Sequence, residues 1–163
     1  MSAVEIREAT RADDDVVWAM LEPVFRAGDT YAVDSGITRE GALHYWFLAE
    51  HVYLAIDGET PVGTFYIKEN QKGGGTHVCN CGYITAKGAE GKGVARAMLT
   101  FSLVEARALG FEAMQYNFVL ANNTRALATW DRAGFKEIGR QPRAFKMPDG
   151  NYVDALILHK FLD

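Results

Sequence analysis

A glycine-rich turn between a predicted strand and a predicted helix constrains this chain more than any other feature. Residues His77–Thr85, rich in β-branched, aromatic and cysteine side chains, predict a strand, and Lys87–Gly93 form the turn after it. A helical spacing of apolar residues starts at Val94, Gly110 ends it, and Ala113–Leu120 predict the next strand. Because a strand–helix–strand crossover returns beside its start, we expect these two strands to be parallel neighbours.

The remaining pattern predicts helices before this unit and antiparallel hairpins on both sides of it. The further predicted elements are a strand at Val4–Ala9, a helix at Asp13–Ala27, a helix capped by Thr38, strands at Val52–Ile56 and Val62–Ile67, a helix at Asn123–Arg132, and strands at Glu137–Lys146 and Tyr152–Phe161. The order β-α-α-β-β-β-α-β-α-β-β predicts an α/β fold with a mixed sheet. No repeat or linker is visible, so we expect residues 1–163 to form a single domain.

Composition and charge argue against several classes of partner. The chain is 48% hydrophobic with a formal net charge of −4, which favours neither nucleic acid nor an anionic membrane. Its longest apolar runs, such as Val52–Ile56, are far shorter than a membrane span. Met1–Arg7 lacks the basic start and apolar run of a signal peptide. We expect a cytoplasmic protein that binds neither membranes nor nucleic acid.

The two cysteines are interpreted as strand residues. Cys79 and Cys81 are one residue apart, which is a poor geometry for a disulfide. His77 alone does not complete a set of metal ligands around them. We therefore expect no metal, and buried thiols rather than redox-active ones.

The glycine turn has the composition of an anion site. Glycines such as Gly91 and Gly93 let successive N–H groups point at a phosphate in front of a helix N-terminus, although a turn without a ligand fits the same residues. A Walker A loop would need Ser or Thr at Gly93, directly after Lys92, and a dinucleotide fingerprint would need a glycine-like residue at Arg96. Neither a nucleotide hydrolase nor a nicotinamide enzyme is supported.

Two segments resemble signatures of the GNAT superfamily of N-acetyltransferases. Glu90–Ala95 is similar to the pyrophosphate motif Gln/Arg-x-x-Gly-x-Gly/Ala except at its first position, and Asn123–Phe135 resembles Asn-x-x-Ala … Tyr-x-x-x-Gly-Phe. The likeness extends from about Val52 to the C-terminus. It implies a V-shaped cleft between the two parallel strands, acetyl-CoA as cosubstrate in that cleft, a small-molecule amine as acceptor, and a homodimer, since members often pair through sheet edges.

The resemblance also implies which residues contact acetyl-CoA. The pantetheine arm would bond to main chain at Tyr83, Ile84 and Thr85, and the turn that holds the pyrophosphate comprises Gly91, Lys92, Gly93, Val94 and Ala95. Lys92 either adds charge to this turn or is solvated. Asn123 either contacts the cosubstrate or caps its helix. Trp130 replaces the tyrosine that protonates the departing thiolate in many relatives.

Further segments resemble the fungal-type branch that detoxifies proline analogues such as azetidine-2-carboxylate. They are Asp29–Tyr31, Tyr45–Phe47, Gly63–Lys68, Asn80–Tyr83, Tyr116–Asn117 and Val153–Ala155. In that branch asparagines on the splayed strands line the acceptor site, which implies this role for Asn80 and Asn117. Asparagine is disfavoured inside buried strands, so both residues need an explanation; a bulge or an internal hydrogen bond is the alternative.

For the reaction we expect direct attack of a neutral amine on the thioester, without an acyl-enzyme. A backbone N–H near Ile84 would polarise the carbonyl. His77 is more typical of a surface residue than of a general base. Arg39, Arg140 and Arg143 are unranked candidates for binding an acceptor carboxylate, and Tyr31, Tyr45, Trp46 and Phe65 are candidates for the apolar wall, the last two fitting the core better.

Three other functions fit parts of the sequence. The acceptor of a GNAT enzyme can instead be an antibiotic, a polyamine, another free amino acid or a protein N-terminus. Trp130 in place of tyrosine favours a protein that binds acyl-CoA as a sensor and has lost catalysis. A binding domain for a different phosphate ligand would use the same glycine turn.

Overall fold

A computed structural model describes residues 3–163, which form one seven-stranded mixed sheet with helices on both faces. In chain order the elements are β1 (Val4–Glu8), α1 (Asp14–Ala27), α2 (Arg39–Phe47), β2 (His51–Asp57), β3 (Thr60–Glu69), β4 (Val78–Thr85), α3 (Val94–Ala108), β5 (Ala113–Leu120), α4 (Thr124–Arg132), β6 (Lys136–Lys146) and β7 (Tyr152–Phe161). The strands lie in the order β1-β2-β3-β4-β5-β7-β6. The predicted α/β fold and element order are confirmed.

Local sequence signals set the ends of the helices. The Thr38 side chain accepts the Gly41 N–H and caps α2, as predicted. Gly28 adopts the left-handed conformation, with φ of 64°, and ends α1. The side chain of Asn123 accepts the Ala126 N–H at 3.3 Å and caps α4. No helix within residues 3–163 is long and apolar enough to cross a membrane.

The two faces of the sheet carry separate apolar clusters, because alternate strand residues point to opposite faces. One cluster packs α3 on the sheet through residues such as Met98 and Phe65. The other packs α1 and α2 and is centred on Trp46, which has no exposed surface. The Trp46 indole N–H donates to Thr64 Oγ1 at 3.1 Å, and that hydroxyl donates to the Tyr53 carbonyl at 2.8 Å. This satisfied pair fixes the position of β3, which carries part of the site.

The parallel strands β4 and β5 pair only at their first residues. Val78 lies opposite Ala113 and Cys79 opposite Met114, and no later residue of β4 pairs with β5 within the described part of the chain. The predicted parallel neighbours and their separation are confirmed. The ladder is lost where Asn80 begins the open part of β4, and a cleft opens there between the two strands.

Candidate active site

The hydrogen bonds at both ends of the β3–β4 ladder determine which peptide groups of β4 face the cleft. The Asn70 N–H donates to the Val78 carbonyl, and the Ala86 N–H donates to the Val62 carbonyl, each at 2.8 Å. The register between these strands has no shift. Since bonded and non-bonded pairs alternate along an antiparallel ladder, the even-numbered residues of β4 bond to β3. The peptide groups of the odd-numbered residues therefore point toward β5 and, beyond the parallel ladder, from Cys81 to Thr85, into the cleft.

This alternation bears on the expectation that a backbone N–H near Ile84 polarises the thioester carbonyl, because the N–H of Ile84 itself does not face the cleft. Ile84 lies opposite Thr64 in a bonded pair, so its N–H is engaged with β3, and its side chain is buried in the core. The amides of Tyr83 and Thr85 face the cleft instead. The Tyr83 carbonyl, on the same side, accepts the Tyr31 hydroxyl at 3.0 Å, which supports the assigned direction.

The glycine turn leaves a group of amides without partners at the start of α3. Gly91 and Gly93 adopt left-handed φ values of 76° and 83°, which other residues rarely adopt. Gly93 is the N-cap and supplies no side-chain cap, and the first helical bond is accepted by its carbonyl from Ala97, so the amides from Val94 to Arg96 have no helical acceptor. A Cβ on Gly93 would meet no protein atom within 4 Å. This open cradle, with the helix dipole behind it, fits a pyrophosphate.

Glu90, the departure from the family motif, is held by its own loop. Its carboxylate accepts the Gly88 N–H at 2.7 Å. Hydrogen bonds from its own backbone N–H and from that of Gly88 lower the pKa of this carboxyl. The negative charge is therefore anchored on the turn and helps to fix its shape.

The cations that line the larger cavity beside the glycine turn are arginines rather than Lys92, the cation within the motif. Lys92 is exposed and is not among the residues that line the larger cavity, which favours the solvated alternative. Arg96, Arg125 and Arg132 do line it, and sequence analysis missed them. The Arg125 guanidinium reaches within 3.5 Å of a Cβ built on Gly91 and so lies over the turn. The sequence signal that could have identified Arg125 is its position inside the second signature, Asn123–Phe135.

Two cavities meet in the cleft. The larger, of about 880 Å³, is bounded by the glycine turn and α3, and the smaller, of about 310 Å³, lies beyond the point where β4 and β5 separate. The residues that line both are Thr30, Tyr31, Tyr83, Asn123, Ala126 and Trp130. Asn123 thus combines its helix cap with a place at the junction. The arrangement can hold two ligands whose ends meet.

Aromatic rings form much of the wall of the smaller cavity. Tyr31 and Tyr45 line it, whereas Trp46 and Phe65 are fully buried in the core, as predicted for all four. Tyr66 lies against Gly82: a Cβ added at that glycine would come within 2.5 Å of the Tyr66 ring. The close approach of ring and backbone requires glycine at this position.

Asn80 and Asn117 both line the smaller cavity, and both also have partners within the chain. Asn80 is 8% exposed; its Nδ2 donates to the Gln115 carbonyl at 2.9 Å and its Oδ1 accepts the Tyr66 hydroxyl at 3.3 Å. One N–H and one lone pair of this amide remain for a ligand. Asn117 is exposed on a bulge of β5, and its amide bonds to Asn70 and Gln115. Asn80 therefore lies deeper in the smaller cavity, and Asn117 lies at its rim.

The position of Trp130 places its indole against two tyrosine rings. Ring centroids lie 5.4 Å from Tyr83 and 4.8 Å from Tyr116. The two tyrosine hydroxyls are 3.1 Å apart, and that of Tyr83 lies 2.6 Å from Ser102 Oγ. Burial raises the pKa of both tyrosines, so these hydroxyls remain protonated and neutral.

The two cysteines and His77 do not provide an activated nucleophile for an acyl-enzyme. Cys79 and Cys81 are buried, and burial raises the pKa of the Cys81 thiol, which disfavours a thiolate. Cys81 lines the smaller cavity, and its sulfur lies 3.8 Å from Met114 Sδ. His77 is exposed at the start of β4 and lines neither cavity. Direct transfer between two bound substrates suits this geometry.

The three arginines considered for an acceptor carboxylate lie outside the smaller cavity. Arg39 pairs with Asp15, and Arg140 pairs with Asp154 at 2.7 Å. The Arg143 guanidinium stacks 4.4 Å from the Tyr152 ring centroid. None of these arginines lines the smaller cavity. The cation that does line it is Lys68. Lys68 belongs to the segment Gly63–Lys68, which was noted for its resemblance to the proline-analogue branch and not for its charge.

Comparisons with known proteins agree with this geometry. The model of the acetyltransferase (GNAT) family matches residues 18–135. The chain is 32% identical to a GCN5-related N-acetyltransferase of known structure from Kribbella flavida, with a TM-score of 0.92 over 98% of each chain. It is 29% identical to the N-acetyltransferase aca1 of Schizosaccharomyces pombe, over 80% of this chain and 71% of that protein. A phosphinothricin acetyltransferase from Sinorhizobium meliloti, solved with acetyl-CoA, shares the fold at 17% identity (TM-score 0.86, covering 98% and 89% of the two chains).

Proposed function

The chain belongs to the GNAT acetyltransferase family, and from that premise we propose that it acetylates the ring nitrogen of a small cyclic amino acid, a proline analogue. It is an acetyl-CoA-dependent N-acetyltransferase. One observation carries the choice of acceptor: a cavity of about 310 Å³, walled by tyrosines and holding the Asn80 amide, meets the larger cavity at the splayed strands. A space of this size suits a small molecule.

In this proposal the larger cavity holds acetyl-CoA. The amides of Gly93 to Arg96 and the Arg125 guanidinium lie around the cradle for the pyrophosphate. The peptide groups of Tyr83 and Thr85 face the cleft and provide donors and acceptors for the pantetheine arm. Tyr31, which already occupies the Tyr83 carbonyl, would shift or share that acceptor.

The reaction follows from bringing the two ligands together at the junction. The neutral amine nitrogen attacks the thioester carbonyl carbon, and an amide N–H of Tyr83 or Thr85 donates to the developing oxyanion. Collapse breaks the carbon–sulfur bond, the thiolate leaves with the electron pair, and the ammonium proton passes to the thiolate through solvent. Asn80 orients the amine, so that positioning supplies much of the rate.

A second function, an acyl-CoA sensor without catalysis, is favoured by one residue. Trp130 cannot protonate a thiolate, and the neighbouring Tyr83 and Tyr116 hydroxyls are buried with raised pKa values. A CoA thiolate is nevertheless a stable leaving group near neutral pH, since thiols ionise near pH 8.5. Loss of the tyrosine is therefore compatible with turnover.

Thiol release from acetyl-CoA across a panel of amines tests the proposal. The panel contains azetidine-2-carboxylate, proline, the hydroxyprolines, primary amino acids, a polyamine and an aminoglycoside, with a blank that lacks acceptor. We expect selective release with the cyclic secondary amino acids. Release with primary amines alone would be consistent with an N-acetyltransferase but would reject cyclic secondary amino acids as its acceptors. Tight acetyl-CoA binding without release for any amine would favour the sensor.

A further inference from the structure

The smaller cavity carries one charge, and it is positive. Of the described residues that line it, Lys68 alone has an ionisable group that is charged at neutral pH, and no aspartate or glutamate lines it. The other lining residues are aromatic, aliphatic, amide or hydroxyl side chains, a cysteine and a glycine. A ligand with a negative group therefore gains an opposite charge on entering, whereas a polycation meets a like charge.

Lys68 lies beside the Asn80 amide. The two residues are directly opposite in the β3–β4 register, so their side chains share one face of the sheet and start about 5 Å apart. The Lys68 ammonium is 5.2 Å from the centroid of the Tyr66 ring, whose hydroxyl donates to Asn80. A single small molecule can thus reach both the ammonium and the amide.

The ammonium has no carboxylate partner within the described chain. None of the ion pairs found among residues 3–163 includes Lys68, although the side chain is only partly exposed. The nearby Lys72, in contrast, is exposed and pairs with Glu69 at 3.0 Å. A partly buried cation without a counter-ion is stabilised when a ligand brings one.

We infer that Lys68 binds the carboxylate of the acceptor, so that the site selects small amines with a free carboxylate and rejects the corresponding amides. The inference rests on the proposed function for the presence of an acceptor in this cavity. It also limits the size of the acceptor, since the carboxylate at Lys68 and the amine near Asn80 must belong to one molecule of amino-acid size. Aminoglycosides and polyamines are disfavoured by charge as well as by volume.

The test compares acids with their carboxamides. Steady-state kinetics are measured for the pairs azetidine-2-carboxylate and its amide, proline and prolinamide, and glycine and glycinamide. The enzymes are the wild type, Lys68→Met, Lys68→Arg and the matched control Lys72→Met, which removes the same charge outside the cavity. Because a hydrogen bond to a charged group is involved, we expect Lys68→Met to lower kcat/KM for acids about 10- to 100-fold, mainly through KM. Amide turnover and acetyl-CoA affinity should not change, and Lys68→Arg should restore much of the preference.

A binding measurement keeps the inference separate from turnover. Tetrahydrofuran-2-carboxylate and its carboxamide, which have no amine to acetylate, are titrated into the CoA-bound enzyme in a calorimeter. Binding of the acid but not of the amide, lost in Lys68→Met and kept in Lys72→Met, would support the anion site. This holds even if no cyclic amino acid is acetylated, because a failure of acetylation would reject only the proposed acceptor. Equal binding of acid and amide, or equal loss of both in Lys68→Met, would overturn the role of Lys68.

Discussion

Replacement of Gly82 by alanine is expected to damage the smaller cavity, which we propose holds the acceptor, and to spare the larger cavity, which we propose holds acetyl-CoA. A Cβ at this position would lie 2.5 Å from Tyr66 Cε2, 2.8 Å from Cζ and 2.9 Å from Oη. The ring cannot retreat freely, because it packs edge-on against Trp46 with centroids 4.9 Å apart. Trp46 has no exposed surface and is held by Thr64. The added methyl group must therefore displace Tyr66 from its place beside Asn80.

The size of the effect follows from two contributions. Overpacking of a tight core costs about 1–3 kcal/mol, and loss of the Tyr66–Asn80 hydrogen bond adds about 0.5–1.5 kcal/mol. The sum, about 1.5–4.5 kcal/mol, corresponds to a fall in Tm of roughly 3–18 °C for a chain of this length. Asn80 loses one of its two hydrogen-bond partners as well, so kcat/KM for the acceptor should fall. Gly82 does not line the larger cavity, so the Kd of acetyl-CoA should stay the same.

Urea unfolding, acceptor kinetics and acetyl-CoA calorimetry measure the three effects. Gly74→Ala is the matched control, because a Cβ there meets no atom within 4 Å and its φ is not left-handed. In a Tyr66→Leu background the clash is reduced, so Gly82→Ala should cost less than in the wild type. Full stability and activity in Gly82→Ala, or additive losses in the double variant, would refute the reasoning.

Three further predictions concern the cosubstrate, the amides and the pH. Gly93→Val should weaken acetyl-CoA binding about tenfold or more, since a left-handed β-branched residue is strained and its side chain fills the cradle; an unchanged Kd in calorimetry would contradict this. Asn80→Ala should lower acceptor kcat/KM more than Asn117→Ala, because only Asn80 is buried; the reverse order would reassign them. Burial raises the pKa of Tyr83 and Tyr116 above about 10, so the free energy of unfolding in urea should fall above pH 10, where unfolded tyrosines lose protons first; a flat profile would disagree.

The order of elements was predictable because its signals are local. The apolar spacing of α3, the Thr38 cap and the turn at Gly91–Gly93 are each contained within a few residues, and the structure has them where the sequence indicates. The separation of β4 and β5 followed from the resemblance and is visible in the short parallel ladder. Local patterns of this kind need no knowledge of distant contacts.

The details of the site depend on register and on long-range packing. Whether the Ile84 amide or its neighbours face the cleft is decided by the pairing of β4 with β3, which the sequence of β4 does not contain. Arg125 reaches the glycine turn from another helix, whereas Lys92, inside the turn, points to solvent. The charge of the smaller cavity likewise comes from Lys68, on a separate strand.

In the proposed function one strand serves both ligands, because its peptide groups and its side chains point in different directions. Beyond the parallel ladder, the odd-numbered peptide groups of β4 face the cleft, whereas the side-chain positions of Asn80 and Gly82 lie beside Lys68 and Tyr66 in the smaller cavity. A shift of the β3–β4 register by one residue would turn Asn80 to the opposite face and present the Ile84 amide to the cleft. Both halves of the site would then be lost together. In the proposed function, the buried Trp46–Thr64 pair, which holds β3 in place, therefore supports catalysis as well as stability, although neither residue lines the larger or the smaller cavity.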